Sequence, residues 1–355
     1  MPPQYRQRMI VDCAHYCHGR RLHSGPLTLD RATEIVGDAS VEGFVWIGVV
    51  DPGEQELSDL QNRFGLNELA VEDAQSFHLR PKIELYEDAD VLFAVVRSAQ
   101  YDDVREQVTF GEVSIFLAPR FVITVRQGKM AELHPARLHM ERRPDLLRLG
   151  SSAVMWAILD KIVDDYAPVV AGLEQDVDEV EQIVFGGSAA ATERIYRLRG
   201  QATDFYRAIH PLLAPLESLQ RGIYPQIEPG LIPFFRDIND HLKLVNEEML
   251  GQRDALASVL HANMAVISLK QTELGVRQND AMKTLTIIAT IFLPLSFITG
   301  FFGMNFGWMT GHIASIWDFL GLGGGTLLAS CLILWAYFRR AGMLDDDLDQ
   351  RSRST

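Results

Sequence analysis

Three consecutive residues, Gly303-Met304-Asn305, place a carboxamide at the end of a long uncharged run. From Thr284 to Trp317 the chain has no Asp, Glu, Lys or Arg. A polar group at that depth is costly in lipid, so it either serves an ion path or caps a helix end. Behind it, steps of alternate threes and fours from Ser258 pass through His261, Ala265, Ser268, Thr272, Gly275, Asn279, Met282, Thr286, Ala289, Leu293, Ser296 and Gly300. A coiled coil that closes on itself wants large aliphatic residues on such a seam. This seam is small and polar, with Met282 and Leu293 as isolated apolar positions. It reads as the wall of a hydrated lumen in which Met282 and Leu293 gate by dewetting, or as a small-residue interface that lets membrane helices approach closely. The polar half, which lies in water, favours the lumen.

These residues need helices to carry them. A membrane-crossing helix takes roughly 20 mostly apolar residues; the runs 284–302 and 318–338 meet that need, with 303–317 as the loop between them. Pro294 falls inside the first span as a tolerated kink. Two helices per chain cannot enclose water, since a lumen needs walls on all sides, so a pore requires an oligomer. Met1 to Ile10 lacks the apolar stretch that secretion requires. Lys283 and Arg339-Arg340 flank the spans while the connecting loop has no Lys or Arg, which predicts both termini in the cytoplasm.

The 355 residues leave room for a soluble body. The net charge of −14 argues against nucleic acid and for attraction of cations. Three cysteines, Cys13, Cys17 and Cys331, give no disulfide framework and fit a reducing compartment. Residues 1–128 alternate short strands and helices, with strands expected at Met9–Tyr16, Phe44–Val50, Val91–Ser98, Val108–Leu117 and Arg120–Val125. Residues 129–232 read as a helical domain, with Tyr166–Val184 and Ala190–Leu219 as a pair broken at Phe185-Gly186-Gly187. Residues 233–283 then form a stalk continuous with the first span; from Pro233 to Phe302 one helix would run roughly 100 Å. The remainder, 339–355, is a cytoplasmic tail whose Asp345-Asp346-Asp347-Leu348-Asp349 reads as a solvated extension.

The first span and its exit, Met282-Lys283-Thr284-Leu285-Thr286 through Ile291-Phe292-Leu293-Pro294-Leu295 to Gly300-Phe301-Phe302-Gly303-Met304-Asn305-Phe306, closely resemble those of the CorA magnesium transporters. The resemblance extends to Val71-Glu72-Asp73 with His78-Leu79-Arg80-Pro81-Lys82, to Asp160 with Val163-Asp164-Asp165-Tyr166, and to Phe235-Arg236-Asp237. It implies a funnel-shaped homopentamer: a cytoplasmic α/β domain, a long pore-lining stalk helix, two spans per subunit, and multi-pass residence in the cell's inner or plasma membrane. It further implies inward movement of Mg2+, with Co2+ and Ni2+, down the electrochemical gradient. By the same resemblance Gly303, Met304 and Asn305 form the selectivity filter, and Asn279, Met282, Thr286, Leu293, Ser296 and Gly300 line or gate the pore. Asp73 with Asp237 of a neighbouring subunit, and Glu72 with Asp160, match the family's regulatory metal sites.

The chemistry of the residues agrees with those roles. Mg2+ gives up its waters reluctantly, so neutral amide oxygens that bind the hydration shell suit it better than a carboxylate cage. Carboxylates suit a sensor: paired across an interface they repel until a cation bridges them. Without the resemblance, Glu72, Asp73 and Asp237 read as ordinary solvated acids. The chain departs from the family where Phe302 replaces the usual Tyr, where the loop after Asn305 lacks its usual acidic residue, and where the stalk carries about seven extra residues, a heptad that leaves the seam unturned. His312 in that loop is a softer ligand suited to Co2+, Ni2+ or Zn2+. Two other functions stay in view, a ZntB-type zinc transporter and a membrane-anchored metal sensor that does not conduct. An enzyme is not expected, because no phosphate loop or nucleophile motif occurs. Cys13, His15 and Cys17 alternate along a strand with His18 and His23 nearby, either as a soft-metal face or as one side of a half-buried strand.

Overall fold

The structure of the protein, a computed structural model, describes residues 10–23, 25–76, 80–128, 133–187, 191–304, 306–313 and 315–340. It divides into two compact units, Met1–Val266 and Ile267–Thr355.

In the first unit, β1 (Ile10–Cys17), β2 (Arg20–Arg21), β3 (Phe44–Val50), β4 (Lys82–Tyr86), β5 (Val91–Asp102), β6 (Gln107–Ala118) and β7 (Phe121–Gln127) form one sheet in the order β2-β1-β3-β7-β6-β5-β4. Its centre is the parallel pair β3/β7, with Ile47 opposite Ile123; every other pairing is antiparallel. Residues Val91 to Ala99 are buried without interruption, and successive residues serve opposite cores. Leu92, Ala94 and Val96 enter one, while Val91, Phe93 and Val95 enter the other. Continuous burial with period two is what a sheet covered on both faces requires.

One face is covered by α1 (Leu29–Gly37), α2 (Glu54–Phe64) and α3 (Glu68–Gln75), through Ala32, Ile35, Leu57, Leu60, Ala70 and Ala74. The other carries α4 (His134–Glu141), α5 (Pro144–Leu147), α6 (Ser151–Asp164), α7 (Tyr166–Phe185), α8 (Thr192–Ile209), α9 (Leu213–Gln220) and the start of α10 (Ile232–Phe302). The soluble unit is therefore α/β. Arg194 on α8 ties this layer together, meeting Glu106 beyond β5 at 3.0 Å and, on α7, Asp176 at 3.0 Å and Glu179 at 2.7 Å.

Phe44–Val50 is the strand expected, and β5 and β6 are longer than expected. Their turn is stabilised by Asp102 Oδ1, which accepts from the backbone N–H groups of Val104 and Arg105 at 3.1 Å. Two edge strands, β2 and β4, were not foreseen; one has two residues and the other mixes charges into its alternation. The helix expected over Ala190–Leu219 breaks into α8 and α9 at a 3₁₀ turn, His210–Leu212. Pro211 sits in that turn and has no N–H to continue the ladder. The break at Phe185-Gly186-Gly187 stands as expected: α7 ends at Phe185, and Gly187 takes φ +79°.

The 71-residue α10 changes character along its length. Its first part buries Phe235, Ile238, Leu242, Val245, Met249, Leu256 and Val259 at helical spacing. Four buried amides punctuate that stripe. Asn239 donates to Gln220 Oε1 at 3.1 Å, Asn246 meets His210 Nδ1 at 2.9 Å, Gln252 donates to the Val170 carbonyl at 3.0 Å, and Asn263 donates to Thr192 Oγ1 at 2.7 Å. Because a one-residue slip would orphan all four, these contacts fix the helix's register against the layer beneath.

The second unit holds the rest of α10, then α11 (Gly307–His312), α12 (Ile316–Phe319), a π-helical turn at Leu320–Gly324, and α13 (Gly325–Arg340). Pro229–Phe302 and Ile316–Arg340 are each long and apolar enough to contain a membrane crossing.

Candidate ion-conducting and metal-binding sites

The seam read from the sequence lies on one exposed face of α10. Asn279, Met282, Thr286, Leu293, Ser296 and Gly300 are all exposed, Met282 at 56% and Leu293 at 76%. A different stripe of the same helix, Ile287, Ile291, Pro294, Leu295, Ile298 and Phe302, is half-buried. Gly323 in the π-helical turn belongs with it, since a Cβ there would meet the Phe302 ring at 3.9 Å. Within this unit the half-buried stripe thus has a neighbour, while the small polar seam is exposed, as are Leu285, Phe292 and Phe297. Thr286 donates its hydroxyl to the Met282 carbonyl at 2.8 Å, and Thr290 donates to Thr286 at 2.7 Å. Their donors are spent inside the helix, which leaves hydroxyl oxygens as acceptors on its surface.

At the exit, Gly303 and Met304 continue the helical hydrogen bonding for two residues, to Thr299 O at 3.0 Å and Phe301 O at 3.3 Å. Met304 is 49% exposed. Asn305, the expected filter amide, lies outside the described residues, as do His78 and Leu79 and the acidic tail. In α11, His312 stacks on Trp308 with ring centroids 4.6 Å apart, and its Nδ1 meets the Trp308 carbonyl at 2.9 Å. The imidazole read as a soft ligand is thus oriented by its own helix.

The four carboxylates divide between the two faces of the sheet. Glu72 and Asp73 sit on α3, beneath one face; Asp160 on α6 and Asp237 on α10 belong to the layer on the other. Glu72 and Asp237 are exposed, and Asp73 and Asp160 half-buried. Asp73 carries an ion pair that sequence reasoning missed: Lys82 Nζ binds it and reaches Glu84 Oε2 at 2.9 Å. Burial works against the Lys82 charge, yet hydrogen bonds to Asp73 and Glu84 hold its pKa above the ordinary value. Repulsion at Asp73 is therefore already softened by a resident cation.

Asp160 is the most perturbed of the four. Burial first, then the negative charges of Asp164 and Asp237, push its carboxyl up to about 6. The structure thus brings Asp160 and Asp237 into one patch of a single chain, together with Asp164 and His241, which are 3.6 Å apart. Asp164, part of the Val163–Tyr166 segment, and His241 each lie one helical turn, i to i+4, beyond Asp160 and Asp237 respectively.

Of the alternating residues on β1, Cys13 belongs to the apolar core and His15 is buried against the Glu42 carbonyl at 2.8 Å. The three do not converge as a ligand set; Cys17, half-buried at the strand's end, lies instead near His18 and Glu42.

An α/β soluble unit, a long helix with an apolar stretch, a short loop and a second apolar helix define a protein with two candidate membrane spans. Residues 41–340 match the model of the CorA-like Mg2+ transporter proteins, and the chain belongs to that family, a family of transporters and not of enzymes. The cobalt/magnesium transport protein CorA of Thermotoga maritima is 30% identical over 248 residues, covering 69% of this chain and 68% of that protein. The solved full-length CmaX protein superposes with a TM-score of 0.67 at 21% identity, covering 94% of this chain and 98% of that one. The complete CorA magnesium transporter from Methanocaldococcus jannaschii superposes at 0.56 and 19% identity, covering 91% and 95%. At those identities the two structures establish likeness of fold.

Proposed function

We propose that this protein is a homopentameric, funnel-shaped divalent cation channel that admits Mg2+, with Co2+ and Ni2+, down the electrochemical gradient. The single observation that carries the reading is the uncovered small polar seam of α10, which leads from water through an apolar span to Gly303-Met304. Five copies placing that seam inward would enclose a hydrated path, with the 284–302 span inside and the 318–338 span outside. Asn279, Thr286, Ser296 and Gly300 line it, and Met282 and Leu293 are the apolar constrictions that close it by dewetting. Gly303, Met304 and Asn305 form the outer filter, where amide oxygens hold a hydrated ion weakly enough to release it.

Residues 1–128 and 129–232 form the cytoplasmic body, 233–283 the stalk, 303–317 the external loop and 339–355 the tail; both termini are cytoplasmic. Feedback comes from Mg2+ bound between subunits, Asp73 facing Asp237 and Glu72 facing Asp160. The placement of these pairs on opposite faces of each chain's sheet suits a contact between two chains. Bound ion favours a closed ring, and its loss loosens the ring. Lys82 is the internal competitor for Asp73, so closure requires enough Mg2+ to share or displace it.

The test is ion flux into liposomes under an imposed membrane potential, with and without a pH gradient. Voltage-driven Mg2+ entry that Asn305→Ala abolishes is expected. Zn2+ entry that requires the pH gradient would replace this reading with a zinc transporter, and no flux of any ion would replace it with a non-conducting sensor.

A further inference from the structure

The turn that ends β1 gathers three metal-binding side chains that the transport reading does not use. One ligand atom each from Cys17, His18 and Glu42 lies within 4.8 Å of the others. His18 Nε2 and Glu42 Oε2 are 3.1 Å apart. In a tetrahedral site with bonds of about 2.0–2.3 Å, neighbouring ligand atoms stand roughly 3.3–3.8 Å apart, so the His18–Glu42 pair is close to the spacing an ion sets and the Cys17 thiol, within 4.8 Å, closes on it by side-chain rotation.

The backbone around the triad is fixed from both sides. Gly43, at φ +96°, brings the entry to β3 so close to β1 that a Cβ there would lie 2.1 Å from the Tyr16 carbonyl oxygen; only glycine lets Glu42 sit against Cys17. Gly19, at φ +77°, presses on α5, where a Cβ would lie 2.2 Å from Pro144 O, and Arg148 Nε donates to the His18 carbonyl at 3.1 Å. His15 holds the Glu42 carbonyl at 2.8 Å. The ligands therefore meet an ion from a frame positioned by its own packing.

The geometry points to Cys17, His18 and Glu42 as a binding site for one borderline-soft divalent cation, Zn2+, Co2+ or Ni2+, completed by a water. A thiolate and an imidazole select these ions over Mg2+, which wants an octahedron of oxygens. The site is separate from the conduction seam and from the four acidic positions, and it does not depend on the proposed channel. Cys13 is excluded from it: burial first, then Asp12, raise its thiol to about 11, and a metal ligand must be the thiolate.

The experiment is a Co2+ titration of the full-length protein in detergent, followed by thiolate-to-cobalt charge-transfer absorption, to which oxygen-ligand sites contribute nothing. A band saturating at one Co2+ per chain is expected, displaced by Zn2+ and not by excess Mg2+. Cys17→Ser should abolish it, and His18→Ala and Glu42→Gln should weaken binding at least about tenfold. Cys13→Ser and Cys331→Ser should leave it. The wild-type protein supplies a second readout, because Zn2+ and not Mg2+ should slow alkylation of Cys17. Absence of the band, its survival in Cys17→Ser, or alkylation of Cys17 indifferent to Zn2+ would each overturn the assignment.

Discussion

The two halves of α10 are one helix under two different regimes. Up to Asn263 its inward residues are buried and its amides find partners in other helices of the same chain; beyond Ile267 the seam residues are exposed. The covered face is mostly large and apolar with four amides set into it, and the seam is mostly small and polar. They differ also in who supplies the partner. A buried amide whose mate lies in the same chain fixes a register, whereas an amide or hydroxyl on an uncovered face is left for water, an ion or another copy.

The largest test of that contrast sets Phe235→Ala against Leu293→Ala. Phe235 is fully buried, and its truncation should cost about 3–5 kcal/mol, seen as a marked fall in thermal midpoint. Leu293→Ala should move the midpoint little and raise ion leak through the closed protein. Equal destabilisation by both would break the contrast. A smaller comparison uses polar groups. Asn263→Ala removes a fully buried amide with its 2.7 Å bond to Thr192 Oγ1 and should cost about 1 kcal/mol or more, while exposed Thr272→Ala should stay within about 0.5 kcal/mol in the same denaturant or thermal titration.

A pH dependence tests the layer against which the covered half packs. Asp160 titrates at about 6 against an ordinary 3.8, so the folded state binds more protons than the unfolded one between those values. In metal-free buffer the contribution of Asp160 to stability should therefore fall as pH rises from about 4 to about 6 and then level off. Asp160→Asn should remove that fall, gaining on the wild type above pH 6 with the gap closing towards pH 4. Parallel melting curves of the two proteins across that range would contradict the assigned shift.

Much of this was legible in the sequence, for reasons that differ by region. Phe44–Val50 reads as a strand because its unbroken apolar run is bounded by Gly43 and by Asp51-Pro52-Gly53. The candidate spans read from uninterrupted apolar runs of helical length, and the seam reads as one helix face because its spacing repeats over many turns. Lys82 was quoted within a motif, but its pairing with Asp73 depends on β4 lying beside the end of α3, and no local pattern encodes that. Cys13 and Cys17 look equivalent at period two; only the packing of helices over the strand makes one a core residue and leaves the other half-buried at the strand's end. Pro211 announces the break at His210–Leu212, and the apolar spacing that continues through it masks the signal.

Strand β4 closes one side of the sheet, and an open strand is a template on which nascent or partly unfolded chains can pair. Its exposed and half-exposed charges, Glu84 and Lys82, guard that edge. The same Lys82 holds Asp73, so the lysine tuning a proposed sensor is also a gatekeeper against aggregation. Under the proposed function, response would then be traded against yield: neutralising Lys82 to free the carboxylate would also leave the border of the sheet less guarded during biosynthesis.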